Sequence, residues 1–531
     1  MSRPFRRPVA AATLLLALLP SLWFLLSNRD LPHFGLLMDD AAYLSGARSL
    51  AEGKGYRLDV LPGSPAQTKY PPALSMLAAP LWMLTGSASA TAGAAIPLLW
   101  LSMAVWILLS PWVFGRLGLS PREALAVAAF IAINPYVIFL STCLLTEMPM
   151  LVLLWLAMRA AAVAERQNSQ PAAMLAGVAA GVAFLFRTAA APMIAALLIC
   201  FVLKGKHRLA LSAAAAALPL AAGWLIWAEL NRVQTSDPQL VFYLDYTRHW
   251  VNHVAETGLL ALIQANLSAL VISLGKLLWF DTGAWPLLVY ARTAVLVAAL
   301  AGSFALLRNG VSLLHLFSWG YAALILLWNF TPNERLALPL LPLLAAGAME
   351  AGTRVARDAR SFLSRPPLQA KASGSVLLLL LGSALAGMLA MGFAGLIRDM
   401  AAIPKRERER NALLAPAAEY ARRQLGASEP LLAFQEGRTA FQTGHPAIGL
   451  PLPTALGYGG DEGRVMQYFL SWPGVMRAHG IRHILLTPWD FELDLKPDQI
   501  GRYRRSVLDH PGVSVLYDGG GVFLVKLDPS R

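Results

Sequence analysis

The segment Leu36-Leu37-Met38-Asp39-Asp40-Ala41-Ala42-Tyr43-Leu44-Ser45-Gly46-Ala47-Arg48 places two adjacent carboxylates at the start of a short helical pattern. At helical spacing Asp40, Tyr43 and Ala47 share a face, with Asp39 N-terminal to it. The helix dipole favours acids in a first turn, so either aspartate can also serve as a simple cap. A further acid, Glu147, stands in the apolar setting Leu144-Leu145-Thr146-Glu147-Met148-Pro149. A carboxylate at the edge of hydrocarbon is costly to keep without a role. Two carboxylates on one face can hold a divalent cation, or divide into a base and an orienting group. Cations stand at comparable places: Lys69 before Tyr70-Pro71-Pro72, Arg187 in Phe184-Leu185-Phe186-Arg187-Thr188, and Arg335 in Thr331-Pro332-Asn333-Glu334-Arg335. Each alone suits an interfacial anchor that snorkels toward water. As a set they suit a phosphate-bearing lipid, with the cations on the phosphate and a carboxylate activating a hydroxyl.

The elements that must position these residues are membrane spans. Of the 531 residues 56% are apolar and 14% charged. Soluble domains carry about 25% charged residues, so the chain lacks the polar surface to coat a core in water. Runs at 9–27, 91–110, 123–141, 146–163, 172–187, 189–203, 209–228, 286–306, 312–330, 335–351 and 375–397 give about eleven candidate spans. Arg3, Arg6 and Arg7 precede the first run, and no small-x-small cleavage site follows it, so it reads as an uncleaved helix that starts inside. The net charge of +13 is not gathered in one basic domain. It lies in short clusters at Arg116 and Arg122, at Arg166, at Lys204, Lys206 and Arg208, at Arg308, and at Arg354, Arg357, Arg360, Arg365 and Lys371. That distribution follows the positive-inside rule and gives no reason to invoke nucleic acid. It sets the N-terminus inside, the C-terminus outside, and three large segments on the outer side: 28–90, 229–285 and the tail from 398.

Within the second of these, the run 259–280 is interrupted by Gln264, Asn266 and Lys276 and is expected to lie along the interface. The tail opens with the charged run 405–410, continues as a helix to 425, and then shows short apolar strands at 430–434, 483–487, 513–517 and 522–526. A membrane region over 1–400 and a small extracytoplasmic α/β domain over 401–531 follow from this change of character. Cys143 and Cys200 lie in apolar stretches without a ligand pattern and read as packing residues.

The pattern Asp39-Asp40-Ala41-Ala42-Tyr43…Ala47-Arg48, followed by Lys69-Tyr70-Pro71-Pro72, resembles the GT-C superfamily of polytopic glycosyltransferases. The nearest likeness is to the phospholipid-carrier-dependent enzymes related to protein O-mannosyltransferases and to the lipid A aminoarabinose transferase. Asp39 matches the first position of that family's acidic pair, and Asp40 stands where glutamate is more usual. Glu147 matches its second acidic position and Arg335 its arginine before a Leu/Pro-rich span. Lys69 matches its Lys-Pro-Pro element, here with Tyr70 inserted. The resemblance covers about residues 1–400. It implies inverting transfer of a hexosyl or pentosyl group from a polyprenyl-phosphate donor to a glycan, lipid or protein acceptor outside the inner membrane. Asp39, Asp40 and Glu147 are then the expected catalytic set, and Lys69, Arg335, Arg187 and Tyr43 the expected phosphate and donor contacts. A divalent cation at Asp39 and Glu147 is an optional cofactor.

The rival readings are a lipid or glycan transporter or flippase, and a scaffold with an external domain. A transporter places ionisable groups near the bilayer midplane, whereas here the charges gather at one rim. A scaffold leaves them without a purpose.

Overall fold

In hydrocarbon every backbone N–H and C=O must be paired within the chain, so apolar runs fold as helices. The computed structural model describes residues 7–29, 34–35, 39–280, 286–363, 373–426 and 429–528. Among these, seven helices are long and apolar enough to cross a membrane: Pro8–Ser27, Ala88–Arg116, Glu147–Gln167, His207–Leu230, Leu259–Trp279, Val289–Asn309 and Glu334–Ala359. Shorter apolar helices cover Ala73–Thr85, Gln170–Phe186, Thr188–Leu203 and Leu313–Leu326. The protein is an integral membrane protein. Small residues let its helices approach closely: a side chain at Gly302 would run into the backbone of Gly347 on the neighbouring helix.

One expected span and the run expected along the interface come out differently, each for a local reason. The run 123–141 is broken into the helices Pro121–Ala132 and Pro135–Leu140. Pro135 has no N–H to continue the first helix, and Asn134 caps the second by accepting from the Tyr136 amide at 3.0 Å. The Asn134 amide nitrogen also donates to the Leu277 carbonyl at 2.9 Å. The run expected to lie along the interface is the Leu259–Trp279 helix, which has the length and hydropathy of a crossing helix. Two of its polar interruptions are satisfied internally: Asn266 donates to the carbonyls of Leu326 and Trp328, and Lys276 pairs with Glu334 at 2.9 Å. The expected span 375–397 lies in the first part of the helix Ser373–Gln424. Most of its side chains are outside the described residues, as are Arg3, Arg6, Arg365 and Lys371.

The Ser373–Gln424 helix passes without a break through the expected boundary at 400 and reaches a five-stranded sheet. The strands are β1 (Leu431–Ala433), β2 (Ala447–Ile448), β3 (His483–Leu486), β4 (Val513–Gly519) and β5 (Val522–Leu527). Their order is β2-β1-β3-β5-β4, with β1 parallel to β2 and β3, and β5 antiparallel to β3 and β4. The core around this sheet also takes in Leu58, Val60 and Leu61 from the first loop, and Tyr243 and Leu244 from the helix Pro238–Leu244. The Ala447 amide donates to the Val60 carbonyl at 2.8 Å. Sheet domain and membrane body are therefore packed on a common set of loops, and that is where the charged residues meet.

Candidate active site

Asp39 and Asp40 open the helix Asp39–Ala51. Helical phase separates them. The Asp40 carboxylate accepts from the amides of Gly35 at 2.9 Å and Ala41 at 2.6 Å, so it ties down the chain entering the helix. Asp39 faces a cavity of about 320 Å³ whose walls include Lys69, Arg187, Arg335 and Glu436. It receives the Tyr70 hydroxyl at 2.5 Å and the Arg335 guanidinium at 2.7 Å. Burial works to raise the Asp39 carboxyl, but Arg335, the Tyr70 hydroxyl and Lys69 outweigh it and hold it below the usual carboxylate range.

Glu147 begins the helix Glu147–Gln167 and is 1% exposed. Both Arg187 and Arg335 donate to its Oε1. Arg187 caps the C-terminal end of Gln170–Phe186, and Arg335 lies in the short helix Glu334–Ala337. The chain of contacts Tyr70–Asp39–Arg335–Glu147–Arg187 thus gathers segments that are distant in sequence. Burying so many charges is a poor way to gain stability, since desolvation consumes most of the Coulombic gain. Glu147 is not on the cavity wall. It stands behind the two arginines and sets their positions. Oε2 of Glu147 and Nη2 of Arg335 are buried without a hydrogen-bond partner.

Lys69 is 4% exposed. The Gln67 side-chain oxygen accepts from the amides of Lys69 and Tyr70, which fixes the turn into the two prolines. The Lys69 ammonium donates to the Phe242 carbonyl at 2.8 Å. It also lies 4.3 Å from the ring centre of Phe242 and 5.1 Å from those of Tyr246 and Phe330. Burial pushes the ammonium down to about 8, against the opposing pull of Asp39 and Glu436.

Tyr43 sits behind this layer, its ring edge-on to Tyr70 at 5.4 Å, and supports the tyrosine that touches Asp39. Arg48 pairs with Asp59 at 2.5 Å and lies over the Phe441 ring. The structure therefore brings Asp39, Lys69, Arg187 and Arg335 to one cavity, and places Asp40, Glu147 and Tyr43 in the layer that supports it. Sequence reasoning did not single out Tyr70, Phe242, Phe330 or Glu436 as site residues. Among the described residues no group of three or more His, Cys, Asp or Glu side chains is gathered to hold a metal ion.

A helical membrane body, a charged cavity and a small α/β domain packed against it are shared with solved structures, and the chain has their fold. Two of the structures that share it are those of ArnT from Cupriavidus metallidurans. The one bound to undecaprenyl phosphate matches with a TM-score of 0.51 at 14% identity, covering 96% of this chain and 97% of that one. The apo structure matches with a TM-score of 0.51 at 14% identity, covering 98% and 99%. At this identity the likeness is one of fold. No protein-family model matches the chain, and neither does any curated protein sequence.

Proposed function

We propose that the protein moves a sugar from a polyprenyl-phosphate carrier to an acceptor on the extracytoplasmic side of the membrane. The observation that carries this reading is the convergence of Lys69, Arg187 and Arg335 with Asp39 on one cavity. Three cations stand there, Arg187 and Arg335 held by Asp39 and Glu147 and Lys69 outside any carboxylate ion pair among the described residues, so Lys69 is the cation open to the phosphodiester of a lipid-linked sugar. An adjoining space, of about 410 Å³, meets the cavity at Lys69, Tyr246 and Trp328 and is walled in part by Trp224, Leu225 and Leu324. Its apolar side suits the prenyl chain of the carrier, while Glu229, Arg232 and Asp245 make up a charged side. The undecaprenyl phosphate held by ArnT in a chain of this fold supports the same class of donor. The basic clusters on the opposite loops favour a cavity that opens outside.

In the reaction an acceptor oxygen attacks the anomeric carbon from the face opposite the phosphate. The bond from that carbon to the phosphate oxygen breaks, and its electron pair stays on the lipid phosphate. The leaving phosphate gains negative charge as the bond lengthens, so Lys69, Arg187 and Arg335 stabilise the transition state more than the bound donor. Asp39 faces the reacting centre as a base or an electrostatic anchor. A divalent cation between Asp39 and Glu147 fits this arrangement badly. Arg335 already donates to both carboxylates, and a hard cation needs about six oxygen ligands. The proposed chemistry runs through side chains alone.

The test is direct. Purified protein in lipid nanodiscs is incubated with a panel of polyprenyl-phosphate hexoses and pentoses together with a mixture of hydroxyl-bearing glycan, lipid and protein acceptors, and free lipid phosphate is measured. Release with at least one donor, and none from a folded, membrane-inserted Asp39→Ala variant, is the expected result. A flippase would move the donor without cleaving it. Retained turnover in the Asp39→Ala protein overturns the assignment.

A further inference from the structure

A second cavity, of about 260 Å³, lies between the helix Pro238–Leu244 and the sheet domain. Phe242, Tyr243, Phe330, Thr331 and Glu436 line both it and the charged cavity. Its remaining walls are mainly aromatic and aliphatic, with Gln435, Thr454 and Asp494 as polar members, and no lysine, arginine or histidine among the described residues lines it. The first cavity is built to receive an anion. The second is built without one positive charge.

Glu436 is delivered to the wall between them with little freedom. It follows β1, and Gln435 turns the chain in a left-handed conformation at φ 54° so that Glu436 begins the helix Glu436–Thr443. That helix lies directly on the Asp39–Ala51 helix: a Cβ on Gly437 would stand 2.5 Å from the Ala41 Cβ. Arg438 pins it from behind, bonding Glu407 at 2.7 Å and also Asn411 of the long helix. The Tyr243 hydroxyl lies beside the Glu436 carboxylate. A Cβ on Gly449 would stand 2.8 Å from both the Glu436 Oε2 and the Tyr243 Oη, so a side chain there would crowd this contact.

The charged and titratable groups facing Glu436 are Lys69 and Tyr70 from the first loop, Tyr243 from Pro238–Leu244, Tyr246, Asp39, Arg187 and Arg335 across the first cavity, and Asp494 across the second. No cationic side chain among the described residues is within ion-pair distance of Glu436, whereas Asp39 is held by Arg335 and Tyr70. A proton acceptor needs a carboxylate that is not already saturated with donors.

We propose that the second cavity holds an uncharged, hydroxyl-bearing acceptor such as a neutral glycan, and that Glu436 takes the proton from the attacking hydroxyl. The inference rests on the sugar-transfer reading above. The acceptor oxygen bonds to the anomeric carbon, the carbon–phosphate-oxygen bond breaks with its electrons going to the lipid phosphate, and the proton passes to Glu436 and on to water. Asp39 is then the electrostatic anchor. Burial pushes the Glu436 carboxyl up to about 7, with its own backbone amide, the Tyr243 hydroxyl and Lys69 pulling the other way. That is the range in which a base is both free and strong enough to act. Phosphorylated or carboxylated acceptors would bring a second anion against Glu436 and Asp494 with no cation to meet it, and are selected against.

The experiment uses the full chain in nanodiscs, a donor that the panel above shows to be cleaved, and matched neutral and phosphorylated glycans as acceptors. The expected result is transfer to neutral acceptors, and at least about tenfold less to their phosphorylated partners, a difference of about 1.4 kcal/mol. In the wild type kcat/KM rises with pH through about 7. Glu436→Gln, which keeps the shape and removes a buried charge, loses that limb and about 10²–10⁴ in rate. Glu436→Asp retains a limb. Donor affinity, measured by binding of the polyprenyl phosphate, stays within a factor of about three in both variants, which separates loss of the base from loss of the fold. A Glu436→Gln protein with the wild-type rate and limb, or a preference for phosphorylated acceptors, overturns the inference and leaves the transfer reading standing. A wild type that cleaves no donor overturns both.

Discussion

On the helical side of the cavity, Asp39 at the wall and Glu147 behind it are each held by guanidinium groups. On the sheet-domain wall, Glu436 has a phenol hydroxyl and a glycine beside it. The same functional group is thereby put to different uses. A carboxylate locked to arginine keeps its charge and holds the arginine in place, so that wall presents a fixed field to the donor phosphate. A buried carboxylate without such a partner changes protonation near neutral pH, so that wall can move a proton. Lys69 stands between the two, fixed by a carbonyl and aromatic rings but itself titrating at about 8.

The comparison can be broken most severely at Arg335. Arg335→Ala leaves Asp39 without its cation and Glu147 with only Arg187. Uncompensating a buried pair in this way costs about 3–5 kcal/mol, so chemical denaturation in detergent should show a much weakened membrane body along with loss of transfer. Next comes Lys69. Replacing it with methionine removes a donor to the leaving phosphate, and turnover should fall about 10²–10³-fold. The lysine works as a cation, so wild-type activity should decline as pH rises through about 8. Lys69→Arg keeps its charge at every accessible pH, and a pH–rate profile of that variant should lack the alkaline limb.

A smaller effect is expected at Gly449. Its substitution by alanine pushes on the tips of Tyr243 and Glu436, an overpacking cost of about 1–3 kcal/mol. Opening the Tyr243 contact removes an influence that lowers the Glu436 carboxyl, so the acid limb of the rate should move to higher pH. The smallest change is expected at Asp40, where alanine removes a cap to the Gly35 and Ala41 amides. A loss of about 0.5–2 kcal/mol in thermal unfolding is typical of such a site. If Asp40→Ala instead abolished transfer while the protein stayed folded, the division of labour between the two aspartates would need to be redrawn.

The helical part of this plan is legible in the sequence because hydrocarbon imposes a simple rule, and charges that break the rule at the ends of apolar runs stand out. Their positions along the chain are enough to group Asp39, Lys69, Arg187 and Arg335. What these residues do next to one another is not legible there. Adjacent aspartates differ only in helical phase, and Glu147 lies behind its arginines instead of on the wall. The Tyr70 inserted between lysine and prolines supplies the hydroxyl that donates to Asp39.

Glu436 is hidden in the sequence for a different reason. In the water-facing tail a glutamate costs nothing, so its composition carries no signal, and its burial arises where the next residue, Gly437, packs on Ala41 and where Tyr243 lies beside the carboxylate, both far away in the chain. The neighbouring Gly437 is the one local hint that something packs closely there. The break at Asn134-Pro135 is within reach of the proline rule. The two-residue strand β2 is too short for any periodicity to reveal.

The unbroken helix Ser373–Gln424 joins membrane body to sheet domain, and so the bearing of Glu436 depends on a residue count. Each residue of an α-helix turns the chain by about 100° and advances it by about 1.5 Å. A single insertion between Arg398 and Lys405 would swing the domain through more than a quarter of a circle, while an inserted heptad would nearly restore its heading but lift it by about 10 Å. Any chimera that borrows this domain must therefore match helical phase and height at the splice, however well its sequence aligns.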